Sequence, residues 1–213
     1  MSDTPTRDEA WALLNEYTDN PSLIKHALGV EAAMRAYARS FDEDEAMWGV
    51  IGLIHDFDYQ QNPTEETHLH VGTKILRDRG WPEEWVRIVA SHADFLGVPR
   101  DSRAAKALFA FEELSGFLVA CSLVRPDKAI AEVRVKSVKK KLKDKAFARS
   151  VNRDDIRNGA DELGVDLGEH IEFVRDARAT ISGQLVLPPA GLGSVPAWPP
   201  LSASGGGGAT RGS

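Results

Sequence analysis

Residues 52–60, GLIHDFDYQ, place an adjacent histidine and aspartate at the end of an apolar run. The run from Trp48 to Ile54 suits a buried helix, and His55 and Asp56 follow it directly. An imidazole nitrogen beside a carboxylate oxygen is a good donor pair for a divalent transition metal. The stretch therefore indicates either a metal site or only the polar end of a buried helix.

The other histidines favour the metal site. A single histidine is most often a hydrogen-bonded structural residue, but here several fall near predicted helix ends with carboxylates nearby. Nitrogen and oxygen donors suit Mn, Fe, Co, Ni or Zn, and because the chain has one cysteine a paired-thiolate zinc site is excluded. The six histidines are His26, His55, His68, His70, His92 and His170.

The segments that must position these residues are predicted to be helices. Apolar residues recur at steps of three and four along nearly the whole chain, and no segment has the alternation of a strand. We expect a single all-α bundle over residues 1–182, with its helical core from about residue 8. Residues 183–213 are rich in Gly, Pro, Ser and Ala with almost no charge, a composition typical of a disordered tail.

Composition excludes several classes of partner. The net charge of −6 argues against binding of nucleic-acid polymers, which requires a cationic surface, so any anion-binding surface must be local. No apolar run reaches the roughly 18–20 residues of a membrane-spanning helix, and no membrane association is expected. One cysteine and no apolar leader predict a cytoplasmic protein.

The order of these features resembles the HD superfamily of metal-dependent phosphohydrolases. The family has a histidine on an early helix, a His-Asp pair at the end of a later one, and an acidic residue on a long helix; His26, His55-Asp56 and FEELSGF stand in those places. The resemblance runs from about Pro21 to Arg178. It is closest to small bacterial HD proteins, through the stretches LIHDFDY, SHADFLGVPR, ELSGFLVACSLVRP, VKSVKKKLKDKAFAR and GVDLGEHIEFV.

The resemblance implies that His26, His55 and Asp56 are metal ligands, with His55 and Asp56 as the catalytic pair. On the long helix the family usually reads Ala-Asp-Glu-Leu, whereas this chain reads FEEL, so Glu112 takes the place of the metal-binding aspartate. The longer side chain either ligates from a helix set slightly back or leaves a weaker or vacant site. Glu113, about 100° further round the helix, is expected to form an ion pair or a cap.

Two further histidines match the family members that hold a second metal. His68 and His92 would complete that second site, with Asp56 as the bridge between the ions. The sequence leaves open whether one or two divalent ions bind, and whether they are Mn, Fe, Co, Ni, Zn or Mg. His70 and His170 are expected to be structural.

A metal site of this kind is suited to hydrolysis of phosphate esters, and we expect a small phosphorylated substrate such as a nucleotide. The basic stretch at residues 134–145 supplies candidate cations. Lys136 and Lys140 share a helix face, and with Arg125 they would bind phosphate if this helix folds back over the metal. A solvated charged face is the alternative.

Three other functions stay open from the sequence. A mixed-valent di-iron oxygenase of the HD type would require all six candidate ligands. A regulatory module with a decayed catalytic site is suggested by the glutamate at position 112. A plain helical scaffold is the third alternative, and it leaves the placement of His26, His55 and Asp56 unexplained.

Overall fold

The structure is a computed structural model of the chain, and it describes residues 4–149 and 151–182. Over these ranges it is an all-α bundle without a β-strand element, which confirms the predicted fold class. The predicted disordered tail, residues 183–213, lies outside the described residues. The helices are α1 (Arg7–Tyr17), α2 (Pro21–Phe41), α3 (Glu45–Ile54), α4 (His70–Asp78), α5 (Glu83–Ser91), α6 (Arg103–Leu123), α7 (Val135–Lys141), α8 (Arg153–Leu163) and α9 (Leu167–Ser182).

Helix α3 packs closely against α2 in the middle of the bundle. Every residue from Trp48 to Ile54 is buried, as expected of a helix that is apolar on all sides. At Gly52 the two backbones come close together, because a β-carbon there would lie 2.9 Å from the carbonyl oxygen of Val30. This close approach brings the end of α3 against the first half of α2.

Helix α6 is the second central element, and it packs against α2, α5, α8 and α9. The side chain of Ser102 caps its first turn by accepting a hydrogen bond from the amide of Ala105. Phe109, Phe111 and Phe117 are buried along it. Because these aromatic side chains fix α6 in the core, its acidic residues at 112 and 113 occupy fixed positions beside α2 and α5.

Two segments differ from the sequence prediction. The sequence predicts a helix from about His68 to Arg79, but α4 begins at His70, and His68 lies in the preceding turn. Leu69 adopts a left-handed backbone conformation with φ of 59°. The basic helix α7 spans only Val135–Lys141 and packs against α6 and α9. No helix in residues 4–149 and 151–182 is long and apolar enough to cross a membrane.

The close approach of α2 and α3 makes a testable prediction about glycine. Gly52→Ala should lower the free energy of unfolding by about 1–3 kcal/mol, because the new methyl group meets backbone that cannot move aside. Gly116→Ala is the matched control: this glycine lies in α6, is exposed and has nothing near its β-carbon position. The control should stabilise the helix by up to about 1 kcal/mol. Urea unfolding of both variants measures the difference, and equal stabilities would contradict this account of the α2–α3 contact.

Candidate metal centre

Three side chains from three helices meet at one point in the bundle. His26 projects from α2, His55 caps the C-terminus of α3, and Glu112 lies on α6. The Nε2 atoms of His26 and His55 are 3.1 Å apart. The Glu112 carboxylate places Oε2 3.3 Å from His26 Nε2 and Oε1 3.5 Å from His55 Nε2. These residues form the first ligand group.

A second ligand group adjoins the first and consists of Asp56, His68 and His92. His68 lies in the turn before α4, and His92 is the C-cap of α5. The Nε2 atoms of both histidines are 3.2 Å from Oδ1 of Asp56. The two imidazoles therefore approach the same carboxylate oxygen.

Asp56 belongs to the second group but also faces the first, and it directs a different oxygen to the histidines of each. Its Oδ2 is 3.4 Å from His55 Nε2 and 3.9 Å from His26 Nε2. Its Oδ1 is the oxygen that His68 and His92 approach. This is the arrangement that a carboxylate bridging two metal ions requires.

Two of the histidines are held by backbone carbonyls of their own helices. Nδ1 of His55 is 2.8 Å from the oxygen of Gly52, and Nδ1 of His92 is 2.6 Å from the oxygen of Val89. Because a carbonyl only accepts, each Nδ1 carries the proton in the neutral ring and donates it. The Nε2 lone pair of each ring then points into the site, as a metal ligand requires.

The carboxylates of Asp56 and Glu112 are ionised and attract positive charge to the centre. Burial of the Asp56 carboxylate disfavours its ionised form, but the imidazoles of His55, His68 and His92 outweigh that effect and hold its pKa well below the usual range. Burial likewise opposes ionisation of Glu112, yet the imidazoles of His26 and His55 lower its pKa to about 2. Burial also opposes the charged form of His68, while Asp56 and Asp58 raise its pKa to about 9.

The donor set fits one or two divalent metal ions. Two donors that bind one ion at about 2.0–2.2 Å lie about 2.8–3.6 Å apart at tetrahedral or octahedral angles. The first group has separations of 3.1, 3.3 and 3.5 Å, and the second has two of 3.2 Å. Asp56 Oδ1 and Glu112 Oε1 are buried without an aligned hydrogen bond. An ion would satisfy both oxygens.

A cavity of about 350 Å³ opens beside the second group. Its wall contains the acidic residues Asp94, Glu113 and Asp155 and the aromatic residues Tyr59, Phe95 and Phe109. The sequence predicts an ion pair or a cap for Glu113, whereas the structure places this residue in the wall of the cavity. Burial first, and then the nearby carboxylates of Asp155, Glu112 and Asp94, raise the pKa of Glu113 to about 7.

Two histidines, His70 and His170, lie outside both ligand groups. His170 is fully buried between Tyr37 and α6, where Nδ1 is 2.7 Å from the tyrosine oxygen and Nε2 is 2.9 Å from the oxygen of Ala110. Burial lowers the pKa of this imidazole to about 4. His70 is exposed at the start of α4.

The candidate phosphate-binding cations do not line the cavity. Arg125 forms an ion pair with Asp127, 2.7 Å away. Lys136 and Lys140 are exposed on α7. Their role in substrate binding stays a prediction from the sequence.

Asp58, Arg178 and Asp155 also lie near the centre, although the sequence pattern does not indicate them. Asp58 lies against His68, with its Oδ1 3.2 Å from Nδ1. Arg178 on α9 is close enough to interact electrostatically with His26 and Glu112. The position of Asp58, two residues after the His-Asp pair, is the one local signal that could have indicated that it lies near the centre. For Arg178 and Asp155 no local pattern indicates proximity.

Comparison with known proteins agrees with this arrangement. The family model for the HD domain matches residues 23–115, a range that contains all six residues of the two ligand groups. No curated protein and no solved structure matches the chain.

The position of the Glu112 carboxylate predicts that shortening this side chain weakens metal binding. Glu112→Asp should weaken metal binding about tenfold or more, because its carboxylate would end about 1.5 Å short of the position that contacts His26 and His55. Glu112→Gln should weaken it further by removing the charge. Glu84→Asp, an exposed change on α5, serves as the control. Metal content after dialysis measures the effect. Tighter metal binding by Glu112→Asp would contradict this prediction and would indicate that the glutamate belongs to a metal site that has lost its function.

Proposed function

The chain is a protein of the HD superfamily, and from that premise we propose that it is a metal-dependent phosphohydrolase acting on a small phosphorylated molecule, such as a nucleotide or another phosphate ester. The observation that supports this most directly is the position of Asp56, whose two oxygens face separate groups of imidazoles. Two adjacent divalent sites bridged by one carboxylate suit displacement at phosphorus.

The six residues divide into two ligand sets in this proposal. His26, His55 and Glu112 would hold one ion, His68 and His92 would hold the other, and Asp56 would contribute to both. When bound, divalent ions lower the pKa of water and neutralise charge on a phosphoryl group.

His55 and Asp56 form the catalytic pair in this proposal. Asp56, whose carboxylate stays ionised among the imidazoles, orients the reacting groups between the two sets. His55 is fully buried and its ring is fixed through Nδ1, so its Nε2 keeps one position, 3.4 Å from Oδ2 of Asp56. The polar groups that surround the reacting atoms are thereby oriented before substrate arrives, which lowers the barrier to charge development.

The charge of the cavity indicates how a phosphate would be recognised. Its volume of about 350 Å³ lies within the range of small-molecule sites. Among the residues that the structure describes, its wall contains carboxylates and two imidazoles but no lysine or arginine. A phosphate would be repelled by such a wall, so we expect substrate binding as well as turnover to require the metal. The aromatic side chains at the wall suit an apolar or planar portion of the substrate.

A mixed-valent di-iron oxygenase is the second candidate. It requires the same six donors, and all six converge here. The donor set therefore does not separate the two reactions, whereas iron content and oxygen consumption do. A decayed regulatory module is less well supported, since a site that had lost its function would be expected to have lost donors.

The hydrolase proposal is tested with a panel of phosphate esters and added Mn, Co, Ni or Mg. His55→Ala and Asp56→Ala should abolish phosphate release and strip metal, while circular dichroism stays unchanged because apolar burial holds the helices. His70→Ala is the matched control, since this histidine is exposed outside both groups. Phosphate release at the wild-type rate by His55→Ala would refute the assignment. Oxygen consumption by the iron-loaded protein without phosphate release would favour the oxygenase.

The number of ions is tested separately through His92. If two ions bind, His92→Ala should retain one metal equivalent, because His26, His55 and Glu112 remain. If one ion binds, at the first group, His92 acts as an outer partner and activity should fall about 10–100-fold with occupancy only weakened. Elemental analysis of wild type and variant distinguishes the two outcomes, and unchanged content and kinetics would remove His92 from the site.

A further inference from the structure

We propose that Asp58 is a positioning residue that fixes the ring of His68, and with it the second metal position. This inference rests on the proposed metal centre. The Asp58 side chain is fully buried, and its Oδ1 lies 3.2 Å from His68 Nδ1. The opposite nitrogen of the same ring, Nε2, lies 3.2 Å from Asp56 Oδ1. One imidazole is thus held between two carboxylates, one of them inside the site and the other behind it.

His68 needs such a partner because its local backbone does not supply one. His55 and His92 each direct Nδ1 to a carbonyl three residues earlier in their own helix. His68 precedes α4 and lies in a turn. Its Nδ1 and the Asp58 Oδ1 are both buried 3.2 Å apart, and in residues 4–149 and 151–182 neither atom has an aligned hydrogen-bond partner, so each is the nearest polar group that can satisfy the other. The carboxylate therefore replaces the helix carbonyl that holds the other two rings.

The second oxygen of Asp58 holds the backbone that carries His68. Oδ2 accepts hydrogen bonds from the amides of Leu69, at 3.1 Å, and Gly72, at 3.0 Å. Leu69 has a left-handed conformation that costs about 1–3 kcal/mol outside glycine. It is also the N-cap residue of α4 and makes no side-chain capping bond. Asp58 thus caps α4 from a different segment and stabilises the turn in one conformation.

Gly72 provides the space for this carboxylate. A β-carbon at Gly72 would lie 2.7 Å from Cγ of Asp58 and 2.8 Å from its Oδ1. Any larger residue would push the carboxylate away from both His68 and the first turn of α4. Asp58 and Gly72 therefore act on His68 as a pair, although neither faces the metal positions.

The direct test replaces the carboxylate by an amide of the same shape. In Asp58→Asn the amide oxygen can still accept from Leu69 and Gly72, which leaves the NH₂ group facing His68 Nδ1. An amide donor there favours the tautomer with the proton on Nε2, the nitrogen that must be unprotonated to ligate. We expect the melting temperature to change little, the first equivalent of zinc to bind as in wild type, and the second to bind about 10–100-fold more weakly.

Zinc titration calorimetry measures this effect without using activity. Asp78→Asn is the matched control, because Asp78 is exposed on α4 and pairs at the surface with Lys74. Two equal zinc equivalents in Asp58→Asn and wild type would overturn the role of Asp58 while leaving the metal centre intact. One equivalent or none in wild type would overturn the second metal position together with this inference.

Two further measurements keep the inference testable if Asp58→Asn fails to fold. Gly72→Ala retains the carboxylate but crowds it, and it should also weaken the second zinc equivalent selectively. In zinc-loaded wild type, proton–nitrogen correlation spectra should show His68 protonated at Nδ1 and bound through Nε2. A ring bound through Nδ1 would overturn the proposal.

Discussion

The interaction on which the candidate site depends is a half-buried carboxylate held among imidazoles. Asp56 contacts histidines from α2, from the end of α3, from the turn before α4 and from the end of α5. In an apolar interior an ionised carboxylate is costly unless it is paired. The helices converge closely enough for these imidazoles to reach it, and the close contact of α2 with α3 at Gly52 brings two of the elements that carry them together.

The same convergence leaves the protein with polar groups that its own side chains do not fully satisfy. The oxygens Asp56 Oδ1 and Glu112 Oε1 remain without aligned donors, and protonation of His68 is favoured instead. A proton on an imidazole and a metal ion on that nitrogen are alternative ways to neutralise the same carboxylates. The site therefore favours a bound cation or a protonated imidazole, and the apolar packing of the helices holds its side chains in position.

The sequence predicts the helices well because their apolar periodicity and capping residues are local signals. It also singles out His26, His55 and Asp56, since a histidine and an adjacent His-Asp pair on predicted helices form a recognisable pattern. It does not single out Asp58, which reads as one more polar residue after a helix, nor the proximity of Asp155, which depends on how α8 packs against α6. The lysines of α7 are a different case, because local charge density indicates exposure and carries no information about distance from a site, so their role in substrate binding stays a prediction.

The two proposed metal positions differ in how the protein supports them. The first is defined by residues on α2, α3 and α6, whose mutual packing is set by the core, so its geometry follows from the fold itself. The second depends on His68, which lies in a turn with one left-handed residue and is held by a carboxylate that also caps α4. Strain of this kind persists only where surrounding contacts impose it. The second position is therefore the one that a few substitutions can remove without disturbing the bundle, and variation in metal number among related sequences should arise there.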